Sequence, residues 1–158
     1  SFTSLDRRPE GRLTVSEPTS LIMFETRKIL VRPGGNEDPT FKTADWSDST
    51  PKLVHEKIIQ TFENAGLAVF RPSENVSAEN QIFIDLRKFQ LSVSTTPIAE
   101  VEFAAKIVSA NGQLLGTRVF DASAVVKNAT APATVGGLNE AFAKCAIELV
   151  QWTTSLIR

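Results

Sequence analysis

One histidine, one cysteine and two close-set groups of charged residues are the places where this 158-residue chain could do chemistry. Nucleophilic catalysis needs a base within hydrogen-bond reach of the nucleophile. His55 lies between Val54 and Glu56 in a stretch of helical periodicity, which puts it at the surface or at the boundary of the core. Cys145 falls in an apolar helical stripe, the setting of a buried and inert thiol. One Cys and one His cannot supply the usual ligands of a zinc site. Glu100 and Glu102, two apart on one strand face, are the right types for general acid–base work. Their outward alternation, with Lys106 and Arg118 near, reads instead as a solvated charge ladder, and Asp85 with Arg87 reads the same way. The Pro-Gly-Gly-Asn run at 33–36 and the Gly pair at 136–137 are too short to cradle a phosphate. The expectation is a protein that is not an enzyme, with no catalytic residue, no metal and no cofactor.

Composition narrows the class further. A hydrophobic share of 42% suits a packed core, and a net charge of -1 lacks the basic excess that nucleic-acid binding requires. No apolar run approaches the roughly 18 residues of a membrane span. The length fits a single domain over 1–158, with residues 1–10, polar and without a period, as a flexible arm. The lone cysteine excludes an intramolecular disulfide, and a chain that starts at Ser1 has the look of a processed or truncated form.

The elements that must position these residues follow from periodicity. Leu13 and Val15 alternate with polar neighbours as a short strand that Pro18 should end. Residues 21–31 read as a longer strand with a polar interruption at 25–28. Residues 33–50 read as a long loop, and Phe41 and Trp46 stand in it as large aromatics that either cap the core or meet a partner. Ser49 or Thr50 can cap a helix opened by Pro51, with Leu53, Val54, Ile58, Phe62 and Ala65 on its apolar stripe and Asn64 and Gly66 at its stop. A strand at 67–70 follows. A closing helix over 135–158 carries Leu138, Phe142, Cys145, Leu149, Trp152 and Leu156 on one stripe, with Gly136 and Gly137 blurring its start.

Between the two helices, residues 81–127 read as three long strands in succession. Ile82, Ile84 and Leu86 share one face, whereas Phe89, Leu91 and Val93 are one residue out of phase, which predicts a β-bulge near Arg87 and Lys88. Val101, Phe103, Ala105 and Ile107 then alternate cleanly with Glu100, Glu102, Ala104 and Lys106. At Ala110-Asn111-Gly112 two turns compete. A two-residue loop sets Glu102 opposite Asp121, with Arg118 on the face of Phe103. A three-residue loop pairs Phe103 with Val119, Ala105 with Thr117 and Ile107 with Leu115, and puts Arg118 beside the two glutamates; this one is preferred. It leaves Phe120, Ala122, Ala124 and Val126 on the outer face, so either another bulge re-aims them or something covers that face. Phe41, Trp46, Phe120 and Val126 are accordingly the candidate partner-contact residues. The fold class expected is α+β: a mixed, largely antiparallel twisted sheet with two main helices packed on one face.

Several residues taken together resemble the ABC-type transport auxiliary lipoprotein family, the small envelope lipoproteins that accompany Mce-domain lipid transport systems. Ile29-Leu30-Val31-Arg32 is similar to the family's strand ending in Arg, here with Val31 where many members have an aromatic. Trp46, Pro51, Leu53 and the Asn64-Ala65-Gly66 helix end stand in the family's order. Leu86 with Phe89, the paired runs Ala104-Ala105-Lys106-Ile107-Val108 and Thr117-Arg118-Val119-Phe120, and the closing Leu149-Val150-Gln151-Trp152 extend the likeness over nearly the whole chain. The resemblance implies a non-catalytic adaptor on the periplasmic side of a Gram-negative envelope, tethered to the outer or, less in keeping, the inner membrane by an N-terminal lipid whose Cys is not in this chain. Its implied partners are an Mce-domain protein, other transporter subunits or a copy of itself, and its cargo lipid or another hydrophobic molecule. The alternative it leaves is a small lipid-binding carrier.

Overall fold

The computed structural model describes residues 12–20, 28–32, 40–45, 49–93 and 95–157. The expectation for the arm at 1–10 and for Trp46 lies outside the described residues.

Among the described residues eight strands form one mixed sheet, and β6 (Asn80–Val93) is its spine. Along one edge β6 pairs antiparallel with β7 (Pro97–Ser109), which pairs antiparallel with β8 (Leu114–Val125). Its other edge takes three short parallel strands in turn. These are β1 (Leu13–Val15) beside Asn80, Gln81 and Ile82, β2 (Thr19–Ser20) beside Asp85 and Leu86, and β3 (Lys28–Arg32) beside Gln90, Leu91 and Ser92. β5 (Val69–Phe70) adds to β1 in parallel, and β4 (Thr40–Asp45) adds to β3 antiparallel. The architecture is therefore α+β, as the sequence predicts. Phe41 is in a strand, β4, and not in the loop that the sequence predicts, because the run 40–45 forms a hairpin-like pair with β3 that no short-range period announces.

The phase slip in β6 has the predicted cause. The pairing with β7 shifts between Leu86 and Lys88, leaving Arg87 as the extra residue, so Ile82, Ile84, Leu86, Phe89 and Leu91 all reach the same buried face. The β7–β8 turn combines features of both predicted registers. Gly112 adopts φ +86°, and Ser109 N–H donates to the Gln113 carbonyl at 2.9 Å, which makes a three-residue loop with a left-handed Gly. A second shift between Ile107 and Val108 then restores the other register, with Phe103 opposite Phe120, Ala105 opposite Arg118 and Glu102 opposite Asp121. The preferred pairs of Phe103 with Val119, Ala105 with Thr117 and Ile107 with Leu115 are thus corrected, and the bulge that the sequence left open re-aims Phe120, Ala124 and Val126 into the core.

Helix α1 (Thr50–Asn64) opens at Pro51 and ends where Gly66, at φ +85°, lets the Leu67 N–H reach the Phe62 carbonyl at 3.0 Å. Its buried stripe is turned slightly from the predicted one: Val54, His55, Ile58, Ile59 and Phe62 face in, Leu53 is half-buried and Ala65 is exposed. Helix α2 (Ala131–Leu156) is capped by the Thr130 hydroxyl, which accepts from Ala133 N–H at 3.3 Å, so it begins a turn before the glycines. It lies over β6, β7 and β8 and touches α1. Gly137 is what allows the contact, since a Cβ there would stand 2.7 Å from Val126 Cγ2 and 3.0 Å from Ala99 Cβ. A row of rings runs through the resulting core. Phe89 meets Phe142 at 6.5 Å, Phe142 meets Phe103 at 6.3 Å, Phe103 meets Phe120 at 5.5 Å and Phe120 meets Trp152 at 5.6 Å between centroids.

Candidate functional site

The residues with chemical potential are dispersed by this fold. His55 is only 7% exposed, a correction to its boundary placement. Its Nε2 lies 2.7 Å from the Val15 carbonyl at the end of β1, and because a carbonyl oxygen only accepts, Nε2 carries the proton. The ring thereby fastens α1 to the end of β1. Cys145 is buried in α2, and burial pushes its thiol up to about 12, far from the thiolate that nucleophilic attack requires. Neither residue is arranged with the other as a nucleophile and its base. Among the described residues, no group of three or more His, Cys, Asp or Glu is placed to hold a metal ion.

The carboxylates lie on the sheet face opposite the helices, each with partners of its own. Glu100 Oε1 accepts from Ser92 Oγ at 2.8 Å and from Gln90 Nε2 at 3.1 Å. Arg87 stands between Asp85 (3.6 Å) and Glu102 (3.9 Å). This is the charge ladder expected, with one member corrected. The restored register carries Arg118 to the helix side, where its guanidinium sits 4.9 Å above the Phe120 ring and 4.0 Å from Glu148. Elsewhere, a forked pair joins Arg71 to Glu56, with Nε donating to Oε2 at 2.9 Å, and this hydrogen bond holds the Glu56 carboxyl below its ordinary range.

What the fold assembles instead is a surface. Phe83, Val119 and Val125 are 41%, 49% and 73% exposed, all on the helix-free face of β6 and β8. They surround the charge ladder and the half-buried Ile98. Two of the four predicted contact residues are not on that surface: Phe120 is 1% exposed beneath Trp152, and Val126 is 3% exposed beneath Gly137. Their odd-numbered neighbours in β8 take the outer positions, because the bulge past the turn exchanges the two faces. The signal for this is present but ambiguous, since Val119, Phe120, Ala122, Ala124, Val125 and Val126 leave both faces of β8 partly apolar.

A second feature is a groove of about 480 Å³ between the helices, open to solvent and lined by Thr61, Asn64 and Ala65 of the α1 end and Ala143, Ile147, Val150 and Gln151 of α2. No described helix is long and apolar enough to cross a membrane.

Residues 3–150 match the family model of the ABC-type transport auxiliary lipoprotein component. The protein bll6063 of Bradyrhizobium diazoefficiens is 34% identical over 143 residues, which are 89% of this chain and 39% of that protein, so the chain spans about two-fifths of this relative's length. Among solved structures, XCC0632 from Xanthomonas campestris superposes with a TM-score of 0.81 at 23% identity, over 90% of this chain and 83% of that one. A PelC dodecamer from Paraburkholderia phytofirmans reaches 0.50 at 11% identity, over 85% and 84% of the two chains. At these identities the structural likenesses establish the fold alone.

Proposed function

The chain belongs to the ABC-type transport auxiliary lipoprotein component family, and from that premise we propose that it is a non-catalytic adaptor of an Mce-type transport system for lipid or other hydrophobic cargo. It works on the periplasmic side of a Gram-negative envelope, held to the outer membrane by a lipid on its N-terminal extension. The observation that carries the adaptor reading is the exposed apolar set Phe83, Val119 and Val125 on a sheet face that neither helix covers. Exposed apolar side chains spread among charges over one uncovered sheet face fit a contact whose apolar spots are set in a polar surround. The segment bearing Phe41 and Trp46 is a second proposed contact, since its aromatics are of the types enriched at binding hot spots. The dispersal of His55, Cys145 and the glutamates supports the non-catalytic part of the reading.

Affinity purification of the full-length, lipid-bearing protein from its own envelope tests this directly. The permease, the ATPase and an Mce-domain subunit of one transporter should co-purify. Recovery of the permease and ATPase with no Mce-domain subunit removes the Mce assignment and keeps the transporter role, and recovery of no transporter subunit sinks both.

A lipid carrier is the second reading, and the groove beside Ile147 is what favours it. Native mass spectrometry of gently purified protein should then detect a bound lipid that is lost in Ile147→Glu. A mass matching the polypeptide alone counts against it.

A further inference from the structure

The tip of the β7–β8 hairpin brings together groups that can react with one another. Asn111 is the one asparagine in the chain that is followed by glycine, and both residues are exposed. A bond from Asn Cγ to the next backbone nitrogen closes a five-membered ring, so the two reacting atoms are held close by the chain itself. Gly112 leaves that nitrogen uncrowded, since it has no Cβ and nothing stands within 4 Å of where one would be. Asn75 is also in a turn, at φ 56°, but it precedes Val76, whose branched side chain crowds the same approach. At Asn111 the amide carbonyl is also prepared. Its Oδ1 accepts from the Ser109 hydroxyl and, at 3.3 Å, from Gln113 N–H. The contact to Gln113 folds the side chain back over the Asn111–Gly112 peptide. The same N–H reaches Ser109 Oγ at 3.2 Å, which keeps the hydroxyl beside the amide.

Two donors on Oδ1 stand where negative charge gathers when a nucleophile adds to Cγ. One contact opposes the reaction: Gly112 N–H donates to the Ser109 carbonyl at 2.9 Å and must let go before the nitrogen can attack. It is a single hydrogen bond in an exposed turn, with water at hand to replace it. We propose that Asn111 is a self-modification site, where the chain converts its own side-chain amide to a cyclic imide and then to isoaspartate or aspartate without an enzyme. Gly112 N bonds to Cγ and gives up its proton to water, the Cγ–Nδ2 bond breaks, and Nδ2 leaves as ammonia. A water molecule then opens the ring. Addition at Cγ gives aspartate, and addition at the backbone carbonyl gives isoaspartate, with the chain rerouted through the side chain. The balance is one water in and one ammonia out, with no oxidation or reduction. In the imide Gly112 N carries no hydrogen, so its bond to Ser109 is lost. Either product adds a negative charge to the tip, and isoaspartate lengthens the turn that leads into the β7–β8 pairing. This goes beyond the transporter reading and does not depend on it.

Incubation of the whole folded protein at neutral to mildly alkaline pH, followed by mass spectrometry of tryptic peptides, tests this. The peptide 107–118, released by cleavage after Lys106 and Arg118, should gain with time the mass of an amide exchanged for an acid. Part of it should be isoaspartate, read by labelling with an isoaspartyl methyltransferase. Peptides carrying Asn75 and Asn128 should keep their mass. Asn111→Gln, which would need a larger ring, should abolish the gain at this position. Ser109→Ala separates the fold from the dipeptide, because it keeps Asn111 and Gly112 and removes the hydroxyl on Oδ1. It should convert several-fold more slowly than the native chain when folded and at the same rate in guanidinium chloride. A folded protein whose peptide 107–118 keeps its mass while the unfolded chain converts overturns the proposal. So does a folded Ser109→Ala that converts as fast as the native chain.

Discussion

The two faces of the β6–β8 ribbon share a backbone and differ in almost everything else. One face carries Ile84, Leu86, Phe89, Phe103, Ala105 and Phe120 into the core, where Phe89 and Phe103 meet Phe142 of α2 and Phe120 meets Trp152. The other carries Asp85, Glu100, Glu102 and Lys106 with isolated apolar side chains between them. The difference teaches how little of such a sheet is free to work. The helix side is fixed by packing, so a change there alters the fold before it alters any function, whereas the open side tolerates change until a partner is involved.

The comparison breaks most visibly at Phe103. Truncation to Ala removes the ring that links Phe120 and Phe142, and a loss of about 3–5 kcal/mol is expected in urea unfolding. A smaller effect separates adjacent glycines of α2. Gly137→Ala should cost about 1–3 kcal/mol, because its Cβ would press on Val126 and Ala99. Gly136→Ala, whose Cβ meets nothing, should gain up to about 1 kcal/mol from helix propensity, and the two melts should move in opposite directions. Smaller again is the exposed fork of Arg71 and Glu56, worth roughly 0.2–1 kcal/mol at most. Since the folded Glu56 carboxyl titrates below its ordinary value, this stabilisation is present above the ordinary carboxylate range and is lost as pH falls through the folded value. Arg71→Ala should therefore narrow the gap between neutral and acidic melts. Least of all should come from the open face, where each of Phe83→Ser, Val119→Ser and Val125→Ser is expected to stay within about 0.5 kcal/mol.

How far the sequence carried depended on how local the cause was. The bulge at Arg87 is written in β6 itself, because two apolar runs out of phase have no other way to share a core. The α2 stripe is legible for the same reason, from Leu138 to Leu149. The faces of β8 are not, since they depend on two irregularities that cancel, the left-handed Gly112 and the bulge beside Leu115, and only the first leaves a residue signature. That is why Phe120 and Val126 read as outer residues and proved to be core. The burial of His55 is not legible locally, because it is made possible by a carbonyl forty residues away, on a strand whose place beside α1 no local pattern encodes. The order of β1, β2 and β3 along one edge of β6 is equally non-local.

The proposed adaptor role makes the open face the working surface and the helix face its support. The triple variant Phe83→Ser, Val119→Ser, Val125→Ser, expressed in place of the native protein and purified from the envelope, tests this most directly. The prediction is an unfolding midpoint close to that of the native chain together with loss of the co-purifying transporter subunits. A variant that folds normally and keeps those subunits at the native level would contradict it.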